Sequence, residues 1–144
     1  LDAYPQTGKG FLLIGKWVVG AEDKYLIIRD DGKLGYYLYN VFGGVELSSN
    51  ISLTLGTWYH VAAVYDGTIA QIYINGKLDA FTSAFGDVAN STGKLYLGHN
   101  PDRIAENDTF FKGEIDEVSW YNSTLSISEI NNIFTVGSTG KCKL

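Results

Sequence analysis

The chain of 144 residues has the length of one domain and is long enough to bury a substantial hydrophobic core. Its formal net charge is −5 and it carries no cluster of basic residues, which argues against nucleic acid and anionic membrane surfaces as partners. No apolar run approaches the length needed to span a bilayer, so membrane insertion is not expected.

Short segments rich in aromatic and β-branched residues alternate with turn signals along most of the chain. Such segments fit a pleated, half-buried sheet, and their number and spacing are typical of an all-β sandwich. No internal repeat, linker or second domain is visible. We predict strands over residues 11–19, 24–29, 33–41, 45–48, 50–55, 57–65, 69–74, 77–80, 94–98 and 110–121, the last one bulged at Gly113.

The segment from residue 57 to residue 80 carries the clearest pattern, because two turn signals join three of these strands. Asp66-Gly67 and Asn75-Gly76 both favour tight two-residue hairpins, since such residues tolerate positive φ. These turns predict a three-stranded antiparallel meander. The middle strand, residues 69–74, is largely apolar on both faces, so we expect it to be covered on both sides in a two-layer sandwich.

A single short helix is predicted near the C-terminus. Ser126 and Glu129 form an S-x-x-E capping box, in which each side chain satisfies a free backbone amide of the first turn. Leu125 and Ile130 have the spacing of a hydrophobic staple. One face of the helix is apolar and comprises Ile130, Ile133 and Phe134.

Five sequence blocks in the later part of the chain share their order and spacing with a known family. They are WYHVAAVYDG at 58–67, IYINGKL at 72–78, LYLGHN at 95–100, FFKGEIDEVSWYN at 110–122 and LSISEI at 125–130. In this order they resemble laminin-G-like domains of the concanavalin A-like lectin/glucanase jelly-roll superfamily. The resemblance implies an all-β, antiparallel β-sandwich formed by one domain over residues 1–144. It does not specify function, because this fold hosts lectins, carbohydrate-binding modules, adhesion domains and glycosidases.

The resemblance also implies one or two strands ahead of Leu1, so we expect the domain to lack its N-terminal strand. The chain contains no methionine, which indicates a processed product or an excerpt of something larger. Two interpretations of the missing strand stay open. Either it precedes the sequence at hand, or another chain supplies it, which would make this chain a homo-oligomeric building block of an extracellular assembly.

Catalysis is not expected, although one motif is partly similar to a catalytic motif of glycosidases. Some glycosidases of this fold carry two glutamates on one strand, and a retaining hydrolysis needs both of them beside the sugar bond. Glu114 and Asp116 match the first half of that motif, but Val118 and Ser119 occupy the positions for the second glutamate. We therefore predict a non-enzyme, with a degenerate glycoside hydrolase fragment as an alternative.

A structural Ca²⁺ is the cofactor that the resemblance implies. In laminin-G-like domains the aspartate of the G-x-I-D-E-V motif often helps to hold this ion, and here that residue is Asp116. Hard cations prefer carboxylate and carbonyl oxygens. The acidic loop containing Asp102, Glu106 and Asp108 is a second candidate. Simple solvated acids remain the alternative for both places.

Sugar binding requires an aromatic platform with polar groups beside it, because pyranose faces are apolar and their rims carry hydroxyls. Tyr37 and Tyr39 share one face of a predicted strand, while Leu34, Tyr36 and Leu38 occupy the opposite face, which we expect to be core. Trp120 is a further possible neighbour, although Trp58 and Trp120 favour the sandwich interior. The predicted ligand set comprises Tyr37, Tyr39, Trp17, Tyr25, His99 and Asp102.

Four N-x-S/T sequons, at Asn50, Asn90, Asn107 and Asn122, are compatible with a secreted, glycosylated surface. The single cysteine, Cys142, excludes an intramolecular disulfide. Together with the resemblance, these features predict a non-catalytic extracellular recognition module. The expected partner is a glycan or an extracellular protein, and the alternative is a structural subunit of a filament or surface layer.

Overall fold

The computed structural model describes residues 1–18, 21–40, 43–89, 91–101 and 108–137. Two mostly antiparallel sheets and one helix form these parts, which confirms the predicted all-β sandwich with a short C-terminal helix. No helix in the described ranges is long and apolar enough to cross a membrane. The elements are β1 (Gly10–Val18), β2 (Ala21–Arg29), β3 (Lys33–Asn40), β4 (Gly43–Ser52), β5 (Val61–Tyr65), β6 (Ile69–Ile74), β7 (Lys77–Ser83), β8 (Leu95–Leu97), β9 (Asp108–Thr109) and α1 (Ile127–Val136).

Six strands form the larger sheet, in which the order is β4-β3-β2-β1-β8 and β9 pairs in parallel with β1. The smaller sheet is the meander β5-β6-β7, as the two turn signals predict. The hydrophobic core lies between the sheets and joins Ile28, Leu34 and Leu38 of the larger sheet to Ala70 and Ile72 of the smaller one. Burial of these apolar side chains is the main stabilising contribution to the sandwich.

The central strand of the smaller sheet is covered on both sides, which confirms the prediction. Ile72 points into the core, whereas Tyr73 points to the outer face and is also buried. Ile130 of α1 forms a buried cluster with Tyr73 and Val64, and Leu125 packs against this cluster. The capping box is present: the Ser126 hydroxyl accepts from the Glu129 N–H, and the Ser126 N–H donates to Glu129 Oε2.

The two hairpin turns of the meander differ from each other. Asn75 and Gly76 have φ angles of 50° and 75°, as a two-residue type I′ turn requires. The other loop has three residues rather than the predicted two, and only Gly67 has a positive φ. Asp66 causes the difference, because its Oδ1 accepts from the N–H groups of Thr68 and Ile69 and thereby bends the loop locally.

Two predicted strands, 45–48 and 50–55, are in fact the single strand β4. The pairing of β3 with β4 shifts register between Lys33 and Gly35, so two extra residues of β4 are accommodated without breaking the strand. The buried hydroxyl of Ser49 fills the gap, since it accepts from the Leu34 N–H at 2.9 Å and donates to the Ile51 carbonyl at 2.7 Å. The hydrogen bond from the Leu34 N–H to the Ser49 hydroxyl thus replaces a backbone hydrogen bond between β3 and β4.

The predicted strand 57–65 is shorter in the structure, because β6 turns at Asn75 and offers no partner before His60. The predicted strand 110–121 does not form at all, and the segment from 110 to 126 has no regular secondary structure. Gly113 has φ 148° and Glu117 has φ 54°, and the left-handed conformation at Glu117 interrupts an extended backbone.

Candidate functional site

Four tyrosines lie together on the outer side of the larger sheet. Tyr25, Tyr37, Tyr39 and Tyr96 pack on one cluster that faces away from the smaller sheet, and we call this surface the tyrosine face. Its position follows from the period of β3, where Leu34, Tyr36 and Leu38 point into the core and the alternate residues point outward. The predicted division of this strand into a core face and an outer face is confirmed.

The rings of the tyrosine face are ordered by stacking. Tyr25 and Tyr37 stack with centroids 4.6 Å apart and an angle of 14° between their planes. Tyr39 lies 6.3 Å from Tyr25 at a tilt of 30°. Leu12 and Ile27 pack against these rings from neighbouring strands. Tyr25 is largely buried by these contacts, while Tyr37, Tyr39 and Tyr96 are partly exposed.

Glycines on neighbouring strands make room for the rings. Gly15 lies opposite Tyr25, and a Cβ added there would be 2.4 Å from Tyr25 Cβ. Gly44 lies opposite Tyr39, whose ring passes 3.1 Å from the place a Cβ would take. A side chain at Gly15 would collide with Tyr25, and one at Gly44 would push the Tyr39 ring aside by a few tenths of an ångström, so the tyrosine face depends on the glycines of β1 and β4.

A polar network borders the tyrosine face on the side of β4. The Tyr37 hydroxyl donates to Glu46 Oε1 at 2.8 Å, and Arg29 forms an ion pair with the same oxygen. Arg29 also donates to the Ser48 hydroxyl at 3.3 Å. Burial, and then the hydrogen bond to Glu46, raises the pKa of Tyr37 to about 12. The hydroxyl is therefore a neutral donor at physiological pH.

The residues Arg29, Glu46 and Tyr96 were missed in the sequence analysis. Glu46 is directly opposite Tyr37 in the register of β3 with β4, and Tyr96 is opposite Gly15 in that of β1 with β8. Only the pairing of the strands brings these residues together, since no spacing along the chain connects them. The assembled surface offers aromatic area with an adjacent acid, a guanidinium and hydroxyl groups.

Comparisons with known proteins agree with this architecture. A laminin-G type family model, described as the concanavalin A-like lectin/glucanases superfamily, matches residues 4–131. The chain belongs to this superfamily. A search of curated proteins found no match. A solved structure of an S-layer domain-containing protein from Clostridium thermocellum has 22% sequence identity and a TM-score of 0.51, and the match covers 93% of this chain and 67% of that one. That likeness shows the fold alone.

Membership in the concanavalin A-like superfamily does not specify a ligand. The predicted ligand-binding residues are therefore described by their positions in the structure. Tyr25, Tyr37 and Tyr39 come together, as described above. His99 instead stacks on Phe110, with ring centroids 3.8 Å apart. Asp102 lies outside the described residues, and the side chain of Trp17 is likewise not described.

Trp58 and Trp120 are not in the sandwich interior, contrary to expectation, because they are 63% and 48% exposed. Trp120 is not a neighbour of the tyrosine face either. Its ring lies 5.8 Å from Lys24 Nζ. Lys24 is opposite the buried Leu38 and therefore lies on the inner side of the larger sheet. Trp120 lies in a segment without regular secondary structure. A strand pattern in the sequence does not predict where the side chains of such a segment lie.

The acidic motif of the superfamily is exposed in this chain. Glu114 and Asp116 lie at the surface, and Asp116 Oδ1 accepts from the Glu117 N–H at 2.7 Å. Among the described residues, no three His, Cys, Asp or Glu side chains converge on one point. Backbone and amide oxygens would have to supply the other ligands of a Ca²⁺ ion at Asp116, which stays a prediction. Glu106 lies outside the described residues, as does the side chain of Asp108.

The sequons are placed in part. Asn50 lies in β4 and Asn122 in an irregular segment, and both are exposed. The Asn50 side chain donates to the Asp79 carbonyl, and its N–H donates to Asp79 Oδ2 at 2.6 Å. Asn90 and Asn107 lie outside the described residues. Glycosylation at all four positions stays a prediction.

Proposed function

We propose that this chain is a non-catalytic extracellular recognition module that binds carbohydrate through the tyrosine face. The observation that carries the proposal is the arrangement of Tyr25, Tyr37, Tyr39 and Tyr96 on one outer surface, beside the Arg29–Glu46 ion pair. Aromatic rings contact the apolar face of a pyranose, while planar charged groups bond its hydroxyls. Both kinds of group are within reach of one sugar.

The network beside the rings is ordered before any ligand arrives. Glu46 accepts a hydrogen bond from the Tyr37 hydroxyl and forms an ion pair with the Arg29 guanidinium. These two contacts hold its carboxylate at the edge of the tyrosine face. Side chains fixed in this way lose little rotamer freedom on binding. The stacked pair Tyr25–Tyr37 has the same effect on the apolar part of the surface.

The absence of catalysis and an extracellular location are parts of the same proposal. Glu114 is exposed, and the positions for a second glutamate hold Val118 and Ser119, which cannot act as an acid or a base in glycoside hydrolysis. The superfamily assignment and the fold likeness to an S-layer domain-containing protein support a module outside the cell.

Glycan binding by matched variants tests the proposal. The chain is titrated with a panel of neutral oligosaccharides of glucose, galactose and N-acetylglucosamine, and binding is measured by calorimetry. Tyr39→Ala removes a partly exposed ring and should weaken binding about twofold to tenfold, given that a stacked ring contributes roughly 0.5–1.5 kcal/mol beyond its buried area. Phe81→Ala, an exposed aromatic of β7, is the control. Equal affinity for both variants, or no binding to any member of the panel, would reject the tyrosine face.

A second candidate function is assembly by strand exchange between copies of this chain. Leu95 and Leu97 lie opposite Lys16 and Ile14, on the side of the larger sheet that faces the smaller one. They are nevertheless 47% and 52% exposed. The smaller sheet has three strands, whereas the larger sheet has six, and β5 is one of the two edge strands of the smaller sheet in the described part of the chain.

The occupant that we propose for this edge is residues 113–121 of a second copy. That segment has the sequence of a strand, yet here it is irregular, and its Ile115 and Val118 are exposed. Pairing with β5 of a neighbour would place Ile115 on the face toward Leu95 and Leu97 and bury it there, and a symmetric exchange would close a dimer.

Light scattering across a range of concentrations measures this assembly. Dimer should form in the intact chain, and Val118→Pro, which cannot donate a ladder hydrogen bond, should yield monomer. Tyr39→Ala should leave the dimer intact. A monomer at every concentration would dismiss strand exchange and leave the glycan proposal untouched.

A further inference from the structure

An apolar groove of about 440 Å³ lies where β4, the turn between β6 and β7, and α1 meet. The buried Ile74 forms its floor. Three large apolar side chains form its walls and stay open to solvent, since Ile51, Leu78 and Phe134 are 47%, 41% and 40% exposed. A groove of this size can hold a small ligand or the end of a peptide.

A glycine in the turn allows the helix to form one wall. Gly76 has a φ of 75°, and a Cβ added to it would lie 2.8 Å from Asn131 Oδ1 and 3.0 Å from Phe134 Cδ1. The helix therefore packs directly on the backbone of the turn, which brings the Phe134 ring to the groove. The His60 ring lies 6.1 Å from the Phe134 ring and packs beside it. The wall is thus formed by packed elements before any ligand arrives.

Three polar side chains line the same groove, and each has capacity to bond a ligand. Lys77 is exposed, and among the described residues no acid is paired with its ammonium. Asn75 Oδ1 accepts from the His60 N–H at 3.0 Å, which leaves the amide Nδ2 as a donor. Asp79 Oδ2 accepts from the Asn50 N–H at 2.6 Å, while Oδ1 has no partner within the described part of the chain.

The combination of these groups matches the end of a peptide chain. A C-terminal carboxylate can accept from Lys77 and Asn75, and the amide N–H of the same terminal residue can donate to Asp79 Oδ1. An apolar terminal side chain would lie between Leu78 and Phe134 and be removed from water there. A fatty acid, by contrast, has a carboxylate and an apolar body but no N–H to donate to Asp79.

We infer that this groove binds the C-terminal end of a peptide from another protein, with an apolar last residue and a free carboxylate. Lys77 and Asn75 bind the carboxylate, Asp79 accepts from the peptide N–H, and the apolar walls enclose the last side chain. The groove shares no residue with the tyrosine face, with β5 or with residues 113–121. Its occupancy should therefore be independent of glycan binding and of strand exchange.

Binding of matched peptides tests the groove. The probe is a hexapeptide, Gly-Ser-Gly-Ser-Gly-Leu, with fluorescein at its N-terminus, and affinity is measured by fluorescence polarisation. The same peptide as a C-terminal amide and a peptide ending in serine are its matched partners. The leucine acid should bind about tenfold or more tightly than the serine acid, because an aliphatic side chain is removed from water. It should bind about threefold to fivefold more tightly than the amide, a difference that high salt should reduce because Lys77 is exposed.

Two variants assign the binding to the groove. Leu78→Ser should weaken binding of the leucine acid about fivefold or more, and Lys77→Gln should abolish the preference for acid over amide. Both residues are exposed, so the fold should be retained, which melting curves check. The controls are Lys94→Gln, an exposed lysine that does not line the groove, and Tyr39→Ala.

Several results would overturn the inference. They are no binding of the leucine acid, equal binding of the three peptides, and unchanged binding by Leu78→Ser. Decanoate is titrated as a further probe, since it shares the carboxylate and the apolar body of the peptide end. Binding of decanoate without binding of any peptide would also overturn the inference and would assign the groove to a lipid-like amphiphile.

Discussion

Tyr25 of β2 and Tyr37 of β3 are directly opposite each other, and their rings stack 4.6 Å apart. The pair joins two adjacent strands on the outer side of the larger sheet. It combines a buried ring, Tyr25, with a partly exposed one, Tyr37. The two residues should therefore contribute unequally to stability while remaining energetically coupled.

Tyr25→Ala should lower the free energy of unfolding by about 3 kcal/mol, as is common for loss of a buried aromatic side chain. Tyr37→Ala should cost less, and the double variant should show a coupling of about 1 kcal/mol. Urea unfolding of the four proteins gives this cycle. Strictly additive effects would mean that the stacking contributes no energy of its own.

Alkaline titration should reveal the environment of Tyr37. Because burial and the hydrogen bond to Glu46 raise its pKa to about 12, ultraviolet difference spectra between the parent and Tyr37→Phe should show a group titrating well above 10. The raised pKa stabilises the fold below pH 10, and this contribution is lost as the pH rises from about 10 through 12. Glu46→Gln should move the titration toward 10; an unchanged value would assign the shift to burial alone.

Asp23→Ala should destabilise the chain by about 3 kcal/mol, because the partly buried Lys16 and Lys24 lose their shared counter-ion. Asp87→Ala removes an exposed acid and is the charge-matched control, with an expected change within about 0.5 kcal/mol. Thermal unfolding of both variants makes the comparison. Similar melting temperatures would show that the buried ion cluster is energetically neutral.

The helix should stabilise the smaller sheet through one residue. Ile130 is buried between Val64 and Tyr73, so Ile130→Ala should cost about 3 kcal/mol. Phe134 lies on the same helix but is 40% exposed, and its replacement by alanine should cost about 1 kcal/mol or less. Equal losses for the two variants in urea unfolding would contradict this assignment.

A Ca²⁺ ion at Asp116 would be evident from its linkage to stability. Calcium at 100 times its dissociation constant stabilises a folded protein by about 2.7 kcal/mol, so a chelator should lower the melting temperature. Asp116→Ala should abolish that response, while Glu114→Gln should preserve it. A melting curve that does not respond to chelator would remove the metal from this chain.

The local sequence determined the parts of this protein that depend on neighbouring residues. The Asn75-Gly76 turn, the capping box of Ser126 and Glu129, and the alternation that places Tyr37 opposite the core face were all predictable. Each rests on contacts within about one turn or one strand, where a residue type specifies a backbone conformation or a period.

Only the tertiary structure decided which strands pair and what lies beside each tyrosine. Glu46 reaches Tyr37 because β3 and β4 are in that register, and Asp23 meets two lysines because a bulge shifts β1 against β2. The strand-like sequence of residues 110–121 remained irregular, since positive φ at Glu117 interrupts the extended backbone. Register and bulges arise from contacts between residues distant in the chain, so local patterns do not encode them.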